Sequence, residues 1–213
     1  MRHGLQLELA ACPYCGIANP NLTQDRIGGM PVYYQTRRFD GENARWWGNY
    51  SCSTCGGVVV ASADEVISNG SKYTTSIRVI LPKPRQIDPE IPERPRHYLG
   101  QAVQTLAAAS ASQVMSASAV DAMLKERGYS DGSLYARIDK AIADHIITED
   151  MAKWAHHVRL EANDQRHADA GAPLPTKEDA ERSLEFAMAL AEFLFVLPAR
   201  VTRGLNAAAP KKD

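Results

Sequence analysis

The residues with the most definite chemistry in this chain are its four cysteines, which fall in two pairs: Cys12-Pro13-Tyr14-Cys15-Gly16 and Cys52-Ser53-Thr54-Cys55-Gly56-Gly57. Two residues between thiolates let one tight turn present both sulfurs to a single ion. Two such turns complete a tetrahedral site with Zn–S bonds of about 2.3 Å. The glycine after each pair suits the positive φ of such a turn and leaves room for backbone N–H groups near the sulfurs. The doubled pattern predicts one structural Zn2+ held by Cys12, Cys15, Cys52 and Cys55. A redox dithiol would use only one pair, and disulfides do not suit the cytoplasmic location expected below. Four thiolates also leave no open coordination position, so the ion is expected to hold the fold rather than to catalyse.

Two further groups of residues could do chemistry. Between the cysteine pairs lie Arg37-Arg38-Phe39 and Arg45-Trp46-Trp47. Arg37, Arg38, Arg45, Trp46 and Trp47 interleave charge and rings as a ribbon that stacks bases and contacts phosphates does. The same residues suit still better a small zinc domain that needs aromatics for its core and arginines to cover them. Later in the chain, Arg159, Asn163, Arg166 and His167 fall within one stripe about 100° wide if their helix persists to His167. Two guanidiniums, an amide and an imidazole could bind phosphate and move a proton near neutral pH. Alternatively they cap the helix end and pair with Glu161, Asp164 or Asp169. His156 and His157, about 100° apart on a helix, do not form a metal pair.

These residues need elements to place them. β-branched and aromatic content predicts strands at 32–36, 47–51, 58–60 and 73–81. Residues 82–95 hold five prolines, which oppose helix and read as a semi-rigid spacer. Beyond them the texture becomes rich in Ala and Leu, and helices are expected at 96–109, 111–127 and 133–144. A fourth is expected after a Thr148 cap, and a fifth from a Thr176/Asp179 capping box to a stop at Pro198. That last helix, apolar nearly all round, is expected at the centre of the core or in a dimer interface. Small residues near 107–119 would let two helices approach closely. The expected fold class is therefore α+β: a β-rich zinc ribbon at 1–81, a linker at 82–95, a helical bundle at 96–205 and a disordered tail at 206–213.

Composition narrows the function classes. The chain has 213 residues, with 24 Lys+Arg against 25 Asp+Glu, and its proportions are globular averages that exclude a fibrous or low-complexity chain. Residues 1–95 hold 10 basic and 9 acidic residues and residues 96–213 hold 14 and 16. Neither half carries the broad positive surface of a general nucleic-acid binder, so any such contact must come from a local patch. No apolar run reaches the roughly 18–20 residues of a membrane span. The first residues also lack a signal peptide's apolar stretch, so a cytoplasmic protein without membrane contact is expected.

Taken together, the residues resemble the domain-of-unknown-function 4145 family. The resemblance rests on Cys-Pro-Tyr-Cys-Gly, the second Cys-x-x-Cys-Gly, the proline-rich connector and the helical half. Its most specific segment is Val158-Arg159-Leu160-Glu161-Ala162-Asn163-Asp164-Gln165-Arg166-His167, similar to the family's Arg-x-x-Gly-Asn-x-x-x-His run. Thr176 to Ala180 and Phe193 to Pro198 are similar to its Thr-x-x-Asp-Ala helix start and Leu-Tyr-x-Leu-Pro helix end. That family in turn resembles HEPN (higher eukaryotes and prokaryotes nucleotide-binding) helical bundles, many of them dimers with an Arg…His motif at the interface and some of them metal-independent ribonucleases. The resemblance implies a homodimer and places acid–base work on His167, charge stabilisation on Arg159 or Arg166, and orientation on Asn163. It also implies RNA or DNA as a ligand, or a protein partner from a defence or restriction system, with a scaffold of a larger complex as the alternative. The chain departs from the pattern at Ala162, where the family has Gly, at Ser118, where an Arg often precedes the helix-two acid, and in the longer Arg159–His167 spacing.

Overall fold

The computed structural model describes residues 3–27, 30–68, 71–167, 171 and 173–208. The chain divides into two compact units, Met1–Arg85 and Gln86–Asp213. The fold is α+β: antiparallel strands that carry the cysteines precede a helical region.

The first unit contains β1 (Gln6–Leu7), β2 (Leu22–Gln24), β3 (Arg26–Ile27), β4 (Met30–Pro31), β5 (Tyr33–Thr36), β6 (Arg45–Cys52), β7 (Val58–Ser68) and β8 (Ser71–Leu81). The main sheet runs β1-β2-β6-β7-β8, with β5 also on β6, while β3 and β4 form a separate ribbon. β2 pairs with Tyr50–Cys52 and β5 with Arg45–Gly48, so two short strands share one edge of β6 end to end. β7 takes the other edge. Along β6, Gly48, Tyr50 and Cys52 are buried, the period of two expected of a strand with one face on a core. That core is Leu7, Leu22, Tyr50, Val59 and Ala61, together with Cys12 and Cys52. Each large apolar side chain sunk there contributes roughly 1.5–3 kcal/mol. Two of the four sulfurs are thus built into the hydrophobic cluster rather than laid on its surface. β7 extends well beyond the expected 58–60, whereas β8 starts only two residues before the expected 73; register shifts at Ser62/Ala63 and Ala63/Glu65 bend the long ladder.

The second unit contains α1 (Glu93–Gln104), α2 (Ala109–Glu126), α3 (Leu134–Ala143), α4 (Glu149–His167), α5 (Lys177–Ala191) and α6 (Leu197–Ala208), with a π-helical turn at Glu192–Val196. α1 begins three residues before the expected 96, because Pro95 falls in its first turn, where no N–H is needed. It also ends at Gln104 rather than 109. α2 stops just before Gly128, at φ +93°. Ser133 caps α3, the Thr148 hydroxyl oxygen accepts from the Met151 N–H at 3.2 Å, and Thr176 and Asp179 form a complete capping box.

Two expectations are corrected. Pro198 does not end the last helix. In the π turn just before it, the Leu197 N–H donates to Glu192 five residues back. The widened turn resets the hydrogen-bond ladder at the place where Pro198 supplies no donor and crowds the preceding turn, and the chain continues as α6. Residues 206–208, expected in the tail, are therefore helical, and 209–213 lie outside the described residues. The centre of the bundle is α2, which packs against α1, α3, α4 and α5, with α5 as one of its neighbours. Ser112, Ser116, Ala117 and Ala119 of α2 are all buried; they add so little bulk that helices close in from several sides. Ser112 satisfies its hydroxyl on the Ala102 carbonyl of α1 at 2.8 Å.

Candidate metal centre and the α4 stripe

Each cysteine pair folds into the same knuckle. In the first, the Gly16 N–H donates to the Cys12 carbonyl at 3.0 Å and the Cys12 N–H to Ile17 at 2.9 Å. In the second, the Gly56 N–H donates to the Cys52 carbonyl at 2.8 Å and the Cys52 N–H to Gly57 at 2.9 Å. Gly16 and Gly56 hold φ at +74° and +72°, where a side chain would be strained. The two knuckles interlock. Tyr14, between Cys12 and Cys15, lies over Gly57 and donates its hydroxyl to the Val58 carbonyl at 2.9 Å. The residue types around the cysteines do not disclose this lock; its only sequence trace is the second glycine of Gly56-Gly57.

The four Sγ atoms lie within 4.8 Å of one another, the only such cluster of possible ligands among the described residues. Cys12 Sγ and Cys55 Sγ are 3.9 Å apart, and a tetrahedron with bonds of about 2.3 Å separates its sulfurs by about 3.8 Å. Burial pushes the Cys15 thiol up to about 12 and raises that of Cys12. Cys52 is also desolvated, yet the N–H groups of Cys55 and Thr54 bring it down to about 7. A set of sulfurs packed this closely holds several negative charges only around a cation, so the donor set fits a thiophilic divalent ion such as zinc, and its binding releases protons. With all four positions taken by sulfur, the ion would supply cross-linking and no open site for substrate. Cys12 and Cys52 sit in the core, while Cys55 is exposed.

The Arg and Trp residues between the cysteine pairs do not form one surface. Trp46 and Trp47 are neighbours on β6 and face opposite sides. The Trp46 indole N–H donates to Glu65 at 2.8 Å, and Arg37 lies 3.7 Å from the same carboxylate. Trp47 donates to the Thr36 hydroxyl oxygen at 2.8 Å and stacks on Tyr34. Arg45 pairs with Asp64 at 3.5 Å and Arg38 with Asp40 at 2.9 Å. Each of the three arginines thus has a carboxylate partner. Asp64 and Glu65 of β7, which the sequence reading did not single out, are two of these partners.

On α4 the stripe is present, but its members have different surroundings. Arg159 is half-buried, with its guanidinium over the Tyr135 ring of α3, 5.4 Å from the centroid. Its Nε is buried without a hydrogen-bond partner. Asn163, Arg166 and His167 are exposed on the last turns. Glu161 does not pair with the stripe. It accepts from Gln113 of α2 at 3.3 Å and from Ser183 of α5 at 2.8 Å, and meets His157 at 3.1 Å. The adjacent His156 turns the other way, to Asp139 of α3 at 3.1 Å. Asp169, an alternative partner in the sequence reading, lies outside the described residues.

Among the described residues no helix is long and apolar enough to cross a membrane. No curated protein and no solved structure matches the chain. A family model, the domain of unknown function DUF4145, matches residues 101–208, which is more than half of the 213 residues and spans the helices from α2 to α6. The chain belongs to the DUF4145 family.

Proposed function

We propose that the protein is a zinc-held, HEPN-like binding module that associates with nucleic acid, working within a defence or restriction complex as a homodimer. The supporting observation is the C-terminal end of α4. Asn163, Arg166 and His167 are exposed there, and Arg166 and His167 make no hydrogen bond or ion pair among the described residues. Cationic and amide donors left unspent on the protein are what a phosphate backbone uses. Support for the dimer comes from α6, which buries none of its residues. Phe193, Leu197, Val201 and Leu205, each exposed and four residues apart, form an apolar row that a second copy could cover isologously.

The test is fluorescence anisotropy with single-stranded RNA and duplex DNA, using zinc-loaded protein without added magnesium. Saturable binding that weakens several-fold in Arg166→Ala is expected; absence of binding to both probes overturns the reading. A second reading, metal-independent RNA cleavage, is favoured by the exposed His167 imidazole one residue from Arg166. It requires cleavage of the RNA probe that disappears in His167→Ala. Light scattering that gives a 23.3 kDa particle at micromolar concentration counts against the dimer.

A further inference from the structure

A cleft of about 290 Å³ opens in the helical unit where four helices converge, lined by Arg94 and Tyr98 of α1, Asp121 and Lys125 of α2, Arg137 of α3 and Arg166 of α4. Four cations face one carboxylate there, in a half of the chain where acidic residues outnumber basic ones. Asp121 is already engaged twice, with Lys125 Nζ at 2.6 Å and Arg137 Nη1 at 2.5 Å. It braces these two cations on one wall rather than neutralising the cleft. The Arg137 side chain is only 11% exposed; its Nη2 donates to the Ser130 carbonyl at 3.1 Å, and its Nε is buried with no partner. Arg94 and Arg166 are exposed and have no carboxylate partner among the described residues. Arg94 also stands in the first turn of α1, where the helix dipole disfavours a cation.

We propose that this cleft binds a small phosphate monoester, with the phosphate between Arg94, Lys125 and Arg166 and the half-buried Tyr98 beside it. Guanidinium forks and an ammonium converging from separate helices match the oxygens of a phosphate dianion. The volume, at the low end of small-ligand pockets, accommodates a phosphate with a small body attached and not a polynucleotide. This inference does not depend on the nucleic-acid reading, because it concerns one phosphate group and draws most of its residues from outside the α4 stripe.

The test is isothermal titration calorimetry of the full zinc-loaded chain at low ionic strength with inorganic phosphate, AMP and adenosine. The expected result is saturable binding of phosphate, AMP bound at least as tightly, and no binding of adenosine. Arg94→Ala and Lys125→Ala should each weaken AMP binding about tenfold, the usual effect of one charge-assisted hydrogen bond. Lys153→Ala, which removes an exposed α4 cation paired with Asp150 outside the cleft, should leave AMP binding unchanged. Arg94 is exposed on a helix, so its loss leaves folding intact. The proposal is overturned if wild type binds neither phosphate nor AMP, if phosphate binds without AMP, if adenosine binds as well as AMP, or if Lys153→Ala weakens binding as much as Arg94→Ala. Loss of RNA binding with retained AMP binding would remove only the nucleic-acid reading.

Discussion

Replacing Gly57 with alanine probes whether the two knuckles act as one metal centre. A Cβ at Gly57 would stand 2.5 Å from Tyr14 Cδ2, 2.7 Å from Cγ and 3.1 Å from Cβ. The clashing atoms lie at the root of the Tyr14 side chain, so rotating the far end of the ring does not relieve them. The hydroxyl is also tied to the Val58 carbonyl. The whole residue must shift, and Tyr14 is covalently set between two ligands, Cys12 and Cys15. Overpacking of this kind costs about 1–3 kcal/mol, which corresponds to a loss of about fivefold to about 150-fold in metal affinity if the strain falls on the loaded state. Competitive titration of cobalt(II), whose thiolate complex absorbs in the visible, reads that loss directly. In a Tyr14→Ala background the clash is gone, so Gly57→Ala should then cost almost nothing, and the cycle should show a coupling of similar size. Gly56 is the internal control: a Cβ there meets nothing within 4 Å, but φ is +72°, so Gly56→Ala should cost backbone strain of about 1–2 kcal/mol regardless of Tyr14. Equal penalties for Gly57→Ala with and without the Tyr14 ring would refute the interlock.

Further outcomes follow from the other contacts described above. Elemental analysis should find about one zinc per chain. Because burial holds the Cys15 thiol near 12, binding must expel protons, so chelator competition should show affinity climbing with pH and falling in acid; a flat profile would be inconsistent with thiolate ligation. Glu161→Ala strands the buried Gln113 amide and Ser183 hydroxyl and should lower the stability of the helical unit by about 1–3 kcal/mol in urea melts followed by circular dichroism. Glu161→Gln, which keeps an acceptor, should cost less, and an unchanged midpoint in Glu161→Ala would sink the argument. Thr176→Ala should cost about 1 kcal/mol through loss of the cap. The Thr176 N–H and hydroxyl hold the Asp179 carboxyl below its usual range, so the contribution of Asp179 is present above about pH 3.9 and fades as pH falls through its lower folded value. An Asp179→Ala penalty that persists undiminished in strong acid would contradict this.

Local rules made some of this molecule readable and left other parts opaque. The knuckles depend on residues three apart and a following glycine, so they could be read directly. The caps at Thr148 and Thr176 were readable for the same reason, whereas the cap at Ser133 was not singled out. The strands β1 and β2, two or three residues each, exist through their pairing with partners distant in sequence, while the two-residue β3 and β4 pair only with each other; so few residues carry no period. The meaning of Arg37, Arg45 and Trp46 turned on Asp64 and Glu65, which only the β6–β7 register brings beside them. Periodicity correctly put Arg159, Asn163, Arg166 and His167 on one stripe, yet Arg159 is drawn under Tyr135 by α3 while the other three stay in solvent. The apolar run at 184–197 suggested a central core helix or a dimer interface, and Leu184, Phe186 and Leu190 of α5 are buried. The helix that touches most of the others is nevertheless α2, whose small residues are weak as a hydrophobic signal and strong as a packing surface. Pro198 reads locally as a stop; the π turn that accommodates it depends on a shift of hydrogen-bond partners that residue types do not announce.

The second knuckle is itself the turn that joins β6 to β7, whereas the first must be delivered from the far side of residues 16–51. Its two sulfurs are therefore organised by a neighbouring hairpin, with little loop-closure entropy to overcome. The hairpin can offer an ion half of its ligands before the amino-terminal arm is in place. Capture of that arm then closes a ring of chain, as a disulfide would, but with a link that a proton or a competing chelator can undo. An ion held by both knuckles would therefore couple the closing of residues 12–55 to the supply of metal.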